Sequence, residues 1–115
     1  IKFLDIVNEK NYKKLLNQCM ATINISENED FGMAAIEGMS AGKPAFVTNE
    51  GGYKETCINN FNSFVIKKNN LEKNLYKVLK KIDIKELKKM EDNCFKTFKK
   101  FSSKIFFRKI RKLYL

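Results

Sequence analysis

Short apolar runs alternate with stretches of helical period along the first 66 residues, and this alternation restricts the chain more than any other feature. Ile1–Val7, Ala21–Ile25, Ala45–Thr48 and Ser63–Ile66 have strand length and are rich in β-branched or aromatic residues. Between them, Tyr12, Leu15, Leu16 and Cys19 recur at helical spacing. Phe31–Ala41 bears a stripe of Met33, Ile36 and Met39, and a short helix fits Tyr53–Ile58. Gly42 closes the second of these helices, and Pro44 prevents it from resuming. The predicted order is β-α-β-α-β-α-β followed by helices. That order implies an α/β fold with a parallel sheet of about four strands and helices on both faces. Ligands of such sheets bind beyond the carboxyl ends of the strands.

Charge divides the chain near the same point. Residues 1–66 hold six lysines and eight acids, net −2, whereas residues 67–115 hold 17 basic and five acidic residues, net +12. The first part reads as an α/β site region and the second as basic C-terminal helices of the same domain, since 115 residues suit one domain. With 43% hydrophobic residues, ten of them Phe, the chain can bury a core. No apolar run reaches the ~18–20 residues of a membrane span. The sequence has no histidine, which removes Ser-His-Asp, Cys-His and histidine-ligated metal chemistry. Cys19, Cys57 and Cys94 are odd in number and form no C-x-x-C pair, so neither zinc nor a disulfide framework is predicted. They read as reduced, buried thiols, which suits a cytoplasmic protein. The chain begins at Ile1 without a secretory pattern and reads as part of a longer protein.

Leu71, Leu75, Val78, Leu79 and Ile82 form one helix face, broken near Asp83. Leu87, Met90, Cys94, Phe98 and Phe101 continue it, and Phe106, Ile110, Leu113 and Tyr114 make a last stripe. The aromatic cluster of Phe95–Phe107 reads as core. Three readings of the basic tail remain: solvated helix faces, attraction to an anionic membrane surface, and nucleic acid. No recognition motif supports the last, and nucleic acid is not an expected partner.

The richest stretch is Glu29-Asp30-Phe31-Gly32-Met33-Ala34-Ala35-Ile36-Glu37, where a loop becomes a helix. The N–H groups of Phe31, Gly32 and Met33 are expected in the first turn, without intrahelical partners and at the positive end of the helix dipole. Such a place receives anions, and Gly32 permits close approach to the backbone. Carboxylates beside it suit vicinal hydroxyls, each accepting two hydrogen bonds. Glu29 and Glu37 are eight residues apart, ~12 Å of helix rise. That is about the separation of sugar and ribose in a nucleotide diphosphate sugar. Glu29 is therefore placed on sugar hydroxyls and Glu37 on the ribose diol, with the diphosphate between them.

From Ser26 through Glu55 the sequence resembles the donor-binding signature of retaining GT-B glycosyltransferases, the family of sucrose synthases and many mannosyl- and glucosyltransferases. The matching pieces are Glu29-x7-Glu37 around Phe31-Gly32, then Met39-Ser40-Ala41-Gly42-Lys43-Pro44, then Gly51-Gly52-Tyr53-Lys54-Glu55. Phe61-Asn62-Ser63-Phe64-Val65 resembles the following strand, and Phe101-Ser102 and Leu113-Tyr114 resemble the terminal helix.

The resemblance implies an incomplete Rossmann-like sheet and transfer of a sugar from a nucleotide sugar, such as a UDP- or GDP-sugar, with retained anomeric configuration. By that resemblance Glu29 is the catalytic residue. Asp30, Phe31, Gly32, Met33, Glu37, Gly51 and Gly52 bind the donor. No metal and no further cofactor are implied. The acceptor would be a carbohydrate or a lipid-linked acceptor, met in the cytoplasm or at the inner face of the membrane through the basic tail. Ser63, Gly38 and Ile25 depart from the family's usual Gly, Ala and Pro. A Gly-rich phosphate loop with its basic clamp and the acceptor domain are not found in these residues. The piece alone is therefore expected to be inactive, and Ile1–Val7 is expected to lack its usual neighbours in the sheet. The alternative from another class is a non-catalytic α/β binding or interaction module, and beyond it a basic nucleic-acid-binding domain. Gly51-Gly52 also reads as a plain turn, and Lys43 and Glu55 as surface residues.

Overall fold

The computed structural model describes residues 1–114; Leu115 and the side chain of Tyr114 lie outside the described residues. Helices α1 (Glu9–Gln18), α2 (Met33–Ser40) and α3 (Tyr53–Thr56) interleave with strands β1 (Thr22–Asn24), β2 (Ala45–Thr48) and β3 (Ser63–Ile66). Four helices follow: α4 (Leu71–Lys81), α5 (Ile84–Lys89), α6 (Glu91–Lys100) and α7 (Ser103–Tyr114). Local chemistry accounts for several boundaries. The Asn8 side chain accepts the Asn11 N–H at 2.9 Å and starts α1. Asp83 and Glu86 form a reciprocal capping box that starts α5. Gly42, at φ +73°, turns the chain out of α2 toward Pro44.

The sheet is parallel, in the order β1-β2-β3. Three strands form, not four. Ile1–Val7 is irregular, and Ile1, Phe3 and Ile6 are almost wholly exposed. The physical reason is pairing: among the described residues β1 pairs with β2 alone, and a seven-residue apolar run without a neighbouring strand leaves its backbone groups unbonded.

Register shows which side chains share a face. Thr22, Ala45 and Ser63 are aligned, and so are Ile23, Phe46 and Phe64. The first row faces α2, because a Cβ on Gly38 would sit 2.8 Å from the Thr22 methyl carbon. Glycine at this helical position, which weakens α2 in isolation, lets the helix lie close to β1. On the other face Phe46 and Phe64 stack with centroids 4.9 Å apart. There Val78 of α4 and Ile82 just after it border a groove with Phe64 and Ile66. Helices thus cover both faces, as the alternation predicts.

The core joins sheet, α2 and tail. Ala35, Met39, Val47 and Tyr53 pack with Leu87, Met90 and Cys94. Burying Met39 completely stabilises the fold by about 2 kcal/mol. Asn62 is fully buried and satisfied. Its amide donates to the Thr56 carbonyl at 3.0 Å and to Thr97 Oγ1 at 2.8 Å, while its Oδ1 accepts the Ile58 N–H at 2.8 Å. It ties the turn before β3 to α6.

The aromatic cluster of Phe95–Phe107 divides instead of forming one core. Phe95 is half-buried, Phe101 packs edge-on against Phe31 at 5.4 Å, and Phe106 and Phe107 are mostly exposed. Helical period places these rings on a stripe, but α7 runs beyond the elements that would cover it.

Candidate functional site

The loops after the three parallel strands gather at the carboxyl edge of the sheet. Glu27 lies after β1, Glu50 after β2 and Lys68 after β3. The Lys68 ammonium lies 3.0 Å from Glu50 Oε2 and 3.5 Å from Glu27 Oε1. The Glu50 hydrogen bond, with the charges of both acids, raises the Lys68 pKa above its ordinary value. One cation therefore joins all three loops, although its exposure keeps the ion pairs weak.

Glu29 lies in the loop that leads into α2. The helix begins at Met33, two residues later than the sequence predicts, because Gly32 adopts a left-handed conformation with φ +81°. Only glycine takes this conformation without strain, and a Cβ here would also meet the Tyr53 ring at 2.8 Å. Gly32 donates its N–H to Glu29 Oε1 at 2.9 Å. Ser26 donates its hydroxyl to Glu29 Oε2 at 3.0 Å. The Gly32 N–H chiefly, with the Ser26 hydroxyl and the Phe31 N–H, holds the Glu29 carboxyl below its ordinary pKa against a smaller effect of desolvation. The expectation of free N–H groups is corrected here. That of Gly32 serves the chain's own carboxylate, while Met33 and Ala34 open the helix without intrahelical partners.

Glu37 lies further along α2, exposed, and Tyr12 of α1 donates its hydroxyl to Glu37 Oε2 at 2.9 Å. Desolvation first, and then this carboxylate, raise the Tyr12 pKa. Asp30 and Met33 are exposed, and Phe31 is half-buried against Phe101.

The Gly51-Gly52 turn lies against the Glu29 loop. The Gly52 N–H donates to the Glu29 carbonyl at 2.8 Å. A Cβ on Gly51 would come 2.1 Å from that carbonyl oxygen, and one on Gly52 would come 2.1 Å from the Phe31 Cα. Gly51 is exposed while Gly52 is buried, with its N–H spent on the neighbouring loop. Glu29, Phe31, Gly32, Gly51 and Gly52 are thus brought together, and Glu37 lies along the same helix.

Sequence reasoning missed Tyr12, Ser26, Tyr53 and Lys68 as members of this edge. Ser26 stands three residues before Glu29, a local signal. Tyr12 and Lys68 meet their partners across 25 and 18 residues, which no local pattern reveals. Among the described residues no three His, Cys, Asp or Glu side chains gather as a metal site, and no helix is long and apolar enough to cross a membrane.

Parallel strands with acids and backbone donors at their carboxyl edge define an α/β domain of incomplete Rossmann-like form. Over residues 1–97 the sequence matches the family of glycosyl transferases group 1. It is 31% identical, over 118 residues, to an uncharacterized glycosyltransferase of Methanocaldococcus jannaschii, a match covering 99% of this chain and 34% of that protein. It is 41% identical, over 56 residues, to an alpha-1,3/1,6-mannosyltransferase of Dictyostelium discoideum, covering 49% of this chain and 13% of that protein. The chain belongs to the glycosyl transferases group 1 family, and it spans about a third of the length of the first of these relatives.

Proposed function

We propose that the chain is the donor-binding part of a retaining GT-B glycosyltransferase. The observation that carries this reading is the joining of Glu29, the start of α2 and the Gly51-Gly52 turn into one unit at the carboxyl edge of the sheet. Family membership and the mannosyltransferase relative support a nucleotide-sugar donor.

Each Glu29 oxygen uses one acceptor site within the chain and keeps another, so the carboxylate can receive two hydroxyls of a sugar. Met33 and Ala34 N–H groups and the helix dipole favour the donor's diphosphate. Glu37 takes the ribose diol, with Tyr12 holding one of its oxygens. The transition state of such a transfer has oxocarbenium character, and a fixed carboxylate together with backbone donors stabilises the separating charges. Transfer itself belongs to the longer protein; the piece alone is proposed to bind without turnover.

The acceptor is proposed to be a carbohydrate or a lipid-linked carbohydrate in the cytoplasm. Contact with the inner face of the membrane would run through α7, whose exposed Phe106, Phe107 and Leu113 alternate with Lys and Arg. The test is a panel of nucleotide sugars titrated against the full-length protein and its Glu29→Gln variant. Selective binding of one donor, with transfer lost in the variant, supports the reading. Binding and transfer that ignore Glu29 overturn it.

A further inference from the structure

Tyr53 is the largest fully buried side chain among the described residues, yet its hydroxyl points at the candidate site and not into the core's polar network. The hydroxyl lies 2.8 Å from Ser26 Oγ, and Ser26 Oγ lies 3.0 Å from Glu29 Oε2. The direction of both bonds follows from proton count. An ionised carboxylate only accepts, so the single Ser26 proton points to Glu29. Tyr53 must then donate to Ser26. The other carboxylate oxygen is held by the Gly32 N–H at 2.9 Å, and a Gly32 Cβ would come within 2.8 Å of the Tyr53 ring. One buried residue therefore touches both supports of the Glu29 carboxylate: the hydroxyl on one oxygen and the glycine on the other.

We propose that Tyr53 is a positioning residue for Glu29, acting through Ser26, and that this relay orients the carboxylate toward the hydroxyls of the donor sugar. The inference rests on the reading of Glu29 as the sugar contact. A glutamate side chain has several rotatable bonds, and a carboxylate already held at both oxygens meets its ligand without further ordering. The relay also spends only one acceptor site on each oxygen, which leaves the pair needed for a vicinal diol.

The test uses the full-length protein with Tyr53→Phe, Ser26→Ala, the double variant and Glu29→Gln. Tyr53→Phe keeps the ring and its contact with Gly32, so packing is preserved. Loss of one hydrogen bond in the relay is expected to lower kcat/KM for the donor about three- to tenfold. Tyr53→Phe and Ser26→Ala should each raise the Glu29 carboxyl pKa, read by carbon-detected NMR, with the thermal midpoint little changed. Because Tyr53 acts through Ser26, the double variant should fall no further than Ser26→Ala alone. Additive losses, or a Glu29 titration unmoved by Tyr53→Phe, overturn the relay. If Glu29→Gln itself leaves donor binding and transfer unchanged, the underlying site reading fails instead, and the two failures are told apart.

Discussion

The Gly52 N–H donates to the Glu29 carbonyl at 2.8 Å, so the turn before α3 and the loop before α2 are one structural unit. The two motifs stand 22 residues apart in sequence, on consecutive strand ends. Their glycines are explained by this contact: the loops touch backbone to backbone, where a side chain has no room.

Gly52→Ala should therefore be severe. Its Cβ would meet the Phe31 Cα at 2.1 Å, and neither group can rotate away. A loss of about 3 kcal/mol is expected in denaturant unfolding. A loss below about 1 kcal/mol would show that the loops separate easily.

Glu37→Ala should weaken nucleotide-sugar binding to the full-length protein about ten- to hundredfold, the range for hydrogen bonds to a charged group. Tyr12→Phe removes only the donor that holds one Glu37 oxygen and should cost about threefold or less. Calorimetric titration reads both. An unchanged Kd in Glu37→Ala would remove this residue from the site.

Acid should weaken the start of α2. The Glu29 carboxyl lies below its ordinary value of 4.5 in the folded chain, so its ionised form is the one that stabilises. That contribution is complete above about pH 4.5 and is lost as pH falls through the lowered folded value. The stability difference between wild type and Glu29→Gln should shrink from pH 7 to pH 3. A difference equal at both would mean that the carboxylate charge plays no part in holding this turn.

The cysteines should react in order. Burial, with Cys57 and Glu91 nearby, pushes the Cys94 thiol up to about 12, and burial raises Cys57 as well. Cys19 is half-buried near the surface. A disulfide reagent at pH 8 should label Cys19 in the native chain and the other two only on unfolding. Early labelling of Cys94 would contradict its burial.

Helix α7 should prefer anionic vesicles to neutral ones at low salt, with binding lost as salt rises, since each Lys or Arg near such a surface contributes about 1 kcal/mol. Phe107→Glu, at an exposed ring, should reduce binding. Equal sedimentation with neutral vesicles would end the proposal of membrane contact.

Much of the fold was legible because its signals are local. Ala45–Thr48 and Ser63–Ile66 appear as predicted, since short β-branched or aromatic runs between turn residues favour buried strands. Ile1–Val7 has a similar composition and is not a strand, because a strand needs a neighbour and composition does not supply one. The stripe of α7 is equally regular, yet Phe106 and Phe107 stay exposed for want of a covering element.

The candidate site shows the same division. Sequence alone determined that two glutamates eight residues apart flank a loop-to-helix junction, and that glycines mark the turns beside it. Both are matters of spacing and residue type along the chain. Only the tertiary structure decided that Glu29 binds the Gly32 N–H just before α2, that Gly52 is buried against Phe31, and that Tyr53 reaches Glu29 through Ser26. Those contacts bridge separate loops, and parallel strands bring such loops together only once the sheet has formed.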